Sequence, residues 1–270
     1  MLAAIHKHII RTQFQCSRNY SAAYAISLQN SSKNWQQLRE EKLTASTFAA
    51  AVGFWPRQRV KLWREKIGAV KPFSGNLSTS WSNIKEEEAV QRYKMITQNN
   101  VLPPRFQVHS KADWLAASPD GIVESPSNST GVLEIKCPFF DGEKSRALPW
   151  FRIPAHCIPQ AQGLMEILDT EWMHFYVWTL NGSSLFKLYR DREYWRVLEQ
   201  ALSDFWWKHV QPAREIFSNR SKTVGSTHLL LKPLRPAETH EMIDHIVCES
   251  RRIVCRSELL VREVHAKMQN

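Results

Sequence analysis

The sequence predicts an α/β fold in which a central mixed β-sheet is flanked by helices, with an extra helical tail at the C-terminus. Three observations predict it. Residues up to about 97 read mostly as helices, and short β-like runs divided by Pro, Asn, Ser and Gly fill 105–136. A helix near 158–169 then precedes two strands and a long aromatic helix, which is the alternation expected of a mixed sheet with flanking helices. With 270 residues, 43% of them hydrophobic and 23% charged, the chain can bury one sizeable core, and gross disorder is excluded.

Residues 33–55 read as a helix, a break at Leu43-Thr44 and a second helix, with Thr44 or Ser46 as its N-cap and Ala49, Ala50 and Ala51 allowing close packing. Further helices are expected at about 57–67 and 81–97. Strands are expected at 105–109, 113–117, 120–124 and 131–136, and the Ser/Asn-rich stretch 125–131 forms a hairpin-type connection. The helix near 158–169 has Pro159 in its first turn. Strands at 171–180 and 184–190 meet at Asn181-Gly182, a strong hairpin signal. A helix over 191–217 carries Phe205, Trp206 and Trp207, which are expected to pack rather than to stack on bases. A Pro-containing break at 233–236 leads into a polar terminal helix.

The formal net charge is +10, with an isoelectric point near 9.5, and this favours a polyanionic partner. Cys16, Cys137, Cys157, Cys248 and Cys255 are odd in number and show no zinc spacing, so they are expected to be reduced thiols. No apolar run approaches the roughly 20 residues of a membrane-spanning helix, and no membrane partner is expected. No Asp or Glu precedes Glu40, whereas Lys7, Arg11 and Arg18 alternate with apolar and small residues. Residues 1–20 are therefore expected to be an organellar transit peptide, mitochondrial or alternatively plastid, and Arg18-Asn19-Tyr20-Ser21 favours the mitochondrion. Losing three cations from a net +10 would leave the remainder basic.

The chemistry concentrates between Ser118 and Cys137. In a strand over 131–136, Val132, Glu134 and Lys136 share one face, and Leu133, Ile135 and Cys137 the other. Across the hairpin Asp120 returns beside Glu134, and two carboxylates in one place repel unless a cation lies between them. Ligation by Asp120, Glu134, a strand carbonyl such as that of Ile135 and water suits Mg²⁺ or Mn²⁺. Lys136 points at the same place, although a solvated Glu134–Lys136 salt bridge would give the same pattern. Glu86 lies on the helical stripe Ser82, Glu86, Ala89, Tyr93, Ile96, which faces inward, and a carboxylate there needs a partner. Glu88 is placed at the surface, where Arg92 stands at i+4. Gln160 shares an inward stripe with Leu164, Ile167 and Leu168.

In order, Trp35-x-x-Leu38-Arg39-x-x-x-Leu43-Thr44-Ala45-Ser46, Glu86-x-x-Ala89-x-x-x-Tyr93, Ser118-Pro119-Asp120-Gly121, Glu134-Ile135-Lys136-Cys137-Pro138 and Gln160-Ala161-Gln162 resemble the phage-type exonucleases. These form the lambda exonuclease or YqaJ-like branch of the PD-(D/E)XK, restriction-endonuclease-like nucleases. The resemblance covers about 33–217 and implies a metal held by Asp120, Glu134 and the carbonyl of Ile135. It implies further that Lys136 acts on the nucleophilic water, that Glu86 and Gln160 complete the site, and that Arg39 and Ser46 hold the DNA backbone near its 5′ phosphate. Ser82 stands where the family often has Gly, and nothing after about 218 aligns with it, so oligomeric state is not carried over and a homo-oligomer stays open.

The expected organisation is a transit peptide at 1–20, a phage-type exonuclease domain at 31–218 and a helical extension at 219–270. The expected activity is Mg²⁺-dependent hydrolysis, with Mn²⁺ as a substitute, of double-stranded DNA with free ends. A 5′–3′ exonuclease serving organellar DNA recombination, repair or turnover is the first expectation. The alternatives are a structure-specific or nicking endonuclease, or a DNA-binding recombination scaffold with weak or no nuclease activity.

Overall fold

The computed structural model describes residues 37–71, 75–103, 105–125, 129–142, 147–218 and 227–264. The transit peptide expected at 1–20 and the first residues of the helix expected from 33 lie outside the described residues, as does the middle of the 125–131 connection. Two units are distinguished, one ending at Glu41 and one beginning at Lys42. Of the first, residues 37–41 are described, as one helical turn.

The second unit is built on a six-stranded sheet of β2 (Asn100–Leu102), β5 (Gly121–Glu124), β6 (Thr130–Lys136), β7 (Trp172–Thr179), β8 (Gly182–Tyr189) and β9 (Glu258–Val264), neighbouring one another in that order. The pair β6 and β7 is parallel and every other pair antiparallel, so the sheet is mixed. All eight residues of β7 are buried, as expected of a strand covered on both faces and rich in aromatic and β-branched side chains. A smaller sheet joins β1 (Leu43–Thr44), β4 (Leu115–Ala117) and β3 (Gln107–Val108). The expected break at Leu43-Thr44 is thus a short strand, parallel to β4.

The helices are α1 (Phe48–Val52), α2 (Gln58–Lys66), α3 (Leu77–Thr97), α4 (Ile158–Ile167), α5 (Arg192–Asp204), α6 (Gln211–Ser218), α7 (Thr227–Leu231) and α8 (Ile243–Arg256). α5 and α6 are joined through a π-helical turn, Phe205–Val210. Two cores result. One gathers Phe48, Leu62, Val132, Leu164, Phe175 and Leu198, and the other puts Ala89 and Tyr93 of α3 on Leu133, Ile135 and Tyr176. The alternation of β6 therefore serves both layers, with Val132 in the first core and Leu133 and Ile135 in the second. Trp206 is buried and stacks on Trp114 at 5.9 Å, in line with a packing role.

The crossover between parallel β6 and β7 contains α4, which packs closely on α1. A Cβ added at Gly163 would stand 2.4 Å from Cε2 of buried Phe48. Gly163→Ala should destabilise the fold by about 1–3 kcal/mol through overpacking. Thermal or urea unfolding measures this, and a variant as stable as the parent would show that Phe48 has room to withdraw.

Three expectations are corrected. Glu88 is exposed, but its partner is Lys85 at 2.7 Å, while Arg92 donates to Glu263 at 2.7 and 3.1 Å. The 219–270 extension is not wholly helical. After α8, residues 258–264 form β9 along the edge of β8, covering backbone groups that an open edge would leave unpaired. The Arg92–Glu263 pair fastens that strand to α3, and Ser183 Oγ donates to Glu263 as well. Finally, β2 lengthens the opposite edge, in a stretch where no strand was expected.

Candidate active site

The site forms at the ends of β5 and β6. Gly121 pairs with Leu133 and Ile122 with Val132, so extending this register by one residue sets Asp120 opposite Glu134. The Asp120 N–H donates to the Leu133 carbonyl at 3.1 Å, and Asp120 Oδ2 accepts from the Ile135 N–H at 2.6 Å. These two bonds fix one carboxylate against the strand that carries the other.

Glu134 is 3% exposed. Its Oε1 accepts from Lys136 Nζ at 2.6 Å and from Gln160 Nε2 at 2.5 Å. Lys136 Nζ also donates to Gln160 Oε1 at 3.1 Å, which closes a triangle of three side chains. Gln160 reaches it from the first turn of α4, whose entry Pro159 sets. The second Glu134 oxygen, Oε2, is buried and accepts no hydrogen bond. An orphaned carboxylate oxygen costs several kcal/mol in a dry interior unless a cation satisfies it.

Glu86 approaches from α3. Ser82, one turn earlier, donates to the Cys137 carbonyl at 3.3 Å, and Ala89 and Tyr93 are fully buried, so the stripe read from the sequence does face the sheet. Glu86 and Asp120 line a cleft of about 400 Å³ with Val90, Lys94, Val101 and Leu102. Burial raises the Glu86 carboxyl above its ordinary value, and the charge of Glu134 adds to the effect. Asp120 is raised well above the usual range, first by burial and then by the charges of Glu134 and Glu86. Burial alone would lower Lys136, but Glu134 and Asp120 outweigh it and hold the ammonium above its ordinary value. Lys136 is therefore a donor here, and three carboxylates confront one ammonium.

Asp120, Glu134 and the Ile135 carbonyl offer oxygen atoms only, with Glu134 Oε2 free to bind. This donor set fits a hard divalent cation such as Mg²⁺ or Mn²⁺. Among the described residues the one group of three His, Cys, Asp or Glu ligand atoms within 4.8 Å of one another is Asp204, His240 and Glu241, away from this site, where Lys208 already pairs with Asp204 at 2.9 Å and His240 approaches it at 3.3 Å.

The two residues expected at the 5′ phosphate belong to different units. Ser46 is exposed in a 3₁₀ turn, Ala45–Thr47, with its Oγ 3.3 Å from Thr44 Oγ1. The expected N-cap bond does not form at Thr44, and Thr47 Oγ1 donates to the Thr44 carbonyl instead. The turn rests on α4, because a Cβ at Gly163 would lie 3.5 Å from Ala45 Cβ. Arg39 belongs to residues 37–41, in the first unit, and is described with it.

Sequence reasoning missed His156 and Trp55. Their rings lie 5.0 Å apart, and the His156 imidazolium is disfavoured by burial and by the charge of Lys136. A usable signal existed, since His156 precedes Gln160 by one helical turn.

Comparison with known proteins adds three findings. A model of the YqaJ-like viral recombinase domain family matches residues 34–171, just over half of the chain, and this span includes every candidate site residue. The uncharacterized protein R354 of Acanthamoeba polyphaga mimivirus is 31% identical over 118 residues, which are 40% of this chain and 21% of that protein. The chain thus matches about a fifth of that relative's length. An alkaline exonuclease, LHK-Exo, from Laribacter hongkongensis shares the fold, with a TM-score of 0.57 and 21% identity over 70% of this chain and 97% of that one. LHK-Exo in complex with dAMP superposes with a TM-score of 0.56 at 20% identity.

Proposed function

Because the chain belongs to the YqaJ-like viral recombinase domain family, we propose that it is a divalent-metal-dependent deoxyribonuclease that degrades double-stranded DNA from free ends, in the 5′ to 3′ direction. The observation that carries this reading is the unsatisfied, buried Oε2 of Glu134 beside Asp120 and Lys136. A solvated salt bridge would have left both oxygens of Glu134 in water, whereas here Oε1 pairs with Lys136 and Oε2 is buried. Mg²⁺ is the ion of first choice, and Mn²⁺ its substitute.

Asp120, Glu134 and the Ile135 carbonyl would hold the cation, whose chemistry there would be to lower the pKa of a water and to polarise the phosphodiester. Lys136, held protonated, donates to the attacking water or to a phosphate oxygen and so stabilises charge that grows in the transition state. Gln160 orients both Glu134 and Lys136 through bonds of 2.5 and 3.1 Å. Glu86 closes the acidic side of the cleft, and its raised affinity for a proton suits it to accept one from the water. Arg39 and Ser46 are assigned to the terminal 5′ phosphate, where a guanidinium fork and a hydroxyl are the appropriate donors. The basic leader supports delivery to an organelle, with the mitochondrion ahead of the plastid.

The test compares linear, 5′-phosphorylated duplex with closed circular plasmid, with Mg²⁺ and with EDTA. Mononucleotides released in Mg²⁺ from the linear duplex alone are the expected result. Cleavage of circles would replace the exonuclease with an endonuclease. Binding of both DNAs without cleavage in Mg²⁺ or Mn²⁺ would leave a scaffold.

A further inference from the structure

α2 buries Arg59, Leu62, Trp63 and Lys66 and turns Lys61 and Arg64 outward, three residues apart on one helical face, with exposed Arg57 at its N-cap. Beside that face runs a groove of about 480 Å³, whose lining includes Arg57, Lys61, Arg64, Lys71 and Arg235, against the acids Glu65 and Glu238. Arg64, Lys71 and Arg235 are exposed and form no ion pair among the described residues. They come from three segments, α2, the turn after it and the stretch before α8. Like charges gathered in this way repel, and a polyanion in the groove relieves them.

The groove is held in shape by a buried guanidinium. Arg59 Nε donates to the Ala51 carbonyl at 2.8 Å and its Nη1 to the Ala237 carbonyl at 3.0 Å, tying the segment that carries Arg235 to the α1–α2 corner. The His240 N–H adds a bond of 3.0 Å to the Val52 carbonyl. The close seat of Gly53 on this segment, with φ +97° and a Cβ position 2.6 Å from Thr239 Cα, admits no side chain. One aromatic contact leads from the groove's end of α2 toward the segment that carries Gln160. Trp55, two residues before Arg57, meets His156 with ring centroids 5.0 Å apart, and His156 stands four residues before Gln160.

We propose that this groove binds the phosphate backbone of duplex DNA beyond the nucleotide being cleaved, as a second electrostatic anchor. The proposal rests on the reading of duplex DNA as substrate and deepens it. Arg64 and Arg235 take separate phosphates from opposite walls, so two contacts depend on both walls staying in place.

The experiment measures binding of linear duplex in EDTA, where no cleavage occurs, over a series of salt concentrations. The groove variant Arg64→Glu/Arg235→Glu is compared with Lys111→Glu/Arg251→Glu, which makes the same charge change at exposed residues outside the groove. The groove variant should bind roughly tenfold more weakly, with a log–log salt slope smaller by about 2, as expected for two lost phosphate contacts. The control should keep the parent slope. Equal losses in the two variants, a parent-like slope in the groove variant, or a loss confined to single-stranded DNA would overturn the proposal. Arg64→Gln/Arg235→Gln, which removes the contacts without reversing charge, should lower the slope by the same amount. A protein that binds through the groove but never cuts DNA would sink the nuclease reading and leave the groove standing.

Discussion

Lys136→Ala should slow metal-dependent cleavage of linear duplex DNA by about 10²–10⁴-fold, the usual worth of one positioned acid–base or electrostatic group, with duplex affinity close to the parent's. The distinction follows from where Lys136 sits. Its Nζ is committed to Glu134 at 2.6 Å and Gln160 at 3.1 Å at the end of β6, whereas the exposed cations that meet a backbone lie elsewhere. Single-turnover cleavage in Mg²⁺ and duplex binding in EDTA separate the two effects. Removing the ammonium also removes its competition for Glu134 Oε1, so metal binding should strengthen and extra Mg²⁺ should not restore the rate. Recovery of activity at high Mg²⁺ would mean that Lys136 only balances charge. Cleavage at the parent rate would remove it from the mechanism.

The parts of the site that could be read in the sequence are those where local periodicity decides. The period of two along Gly131 to Lys136 sets Val132 and Glu134 on one face and Leu133 and Ile135 on the other, and Val132 enters one core while Leu133 and Ile135 enter the second. The period of 3.6 along Ser82 to Ile96 turned Glu86 toward the sheet and Glu88 away from it. Gln160 followed in the same way from its phase with Leu164 and Ile167. Non-local pairing was not legible. Asn100–Leu102 and Glu258–Val264 are short or charge-rich, and they become strands because the edges of β5 and β8 offer unpaired backbone groups. Arg92 had a local acid in reach and took Glu263, 171 residues away, which also lies against Ser183. The orphaned oxygen of Glu134 was likewise beyond the sequence, because it depends on Lys136 and Gln160 both choosing the other oxygen.

Glu134→Gln should raise the stability of the metal-free protein while abolishing cleavage. Glu86, Asp120 and Glu134 face one ammonium, and Asp120 is held far above its ordinary proton affinity by burial and by the Glu134 charge. A glutamine keeps the volume of Glu134 and an oxygen able to accept from Lys136 and Gln160. Its amide nitrogen replaces the orphaned Oε2 with a donor that can turn toward Asp120. Against this stands the ion pair lost to Lys136, which retains Asp120 as a nearby counter-charge. The carboxylate excess decides the sign, and relief of that buried excess is worth about 1–3 kcal/mol, or several degrees in Tm for a domain of this size. Divalent cation should reverse the order. Mg²⁺ or Mn²⁺ raises the Tm of the parent by mass action, since only the folded site assembles the ligands, whereas the variant has lost the free oxygen that receives the ion. The measurement is thermal unfolding of both proteins in EDTA and in millimolar Mg²⁺. A variant less stable than the parent in EDTA would show that the Glu134–Lys136 pair outweighs the repulsion. An undiminished Mg²⁺ shift in the variant would place the metal away from Glu134 and with it the chemistry assigned to this end of β6.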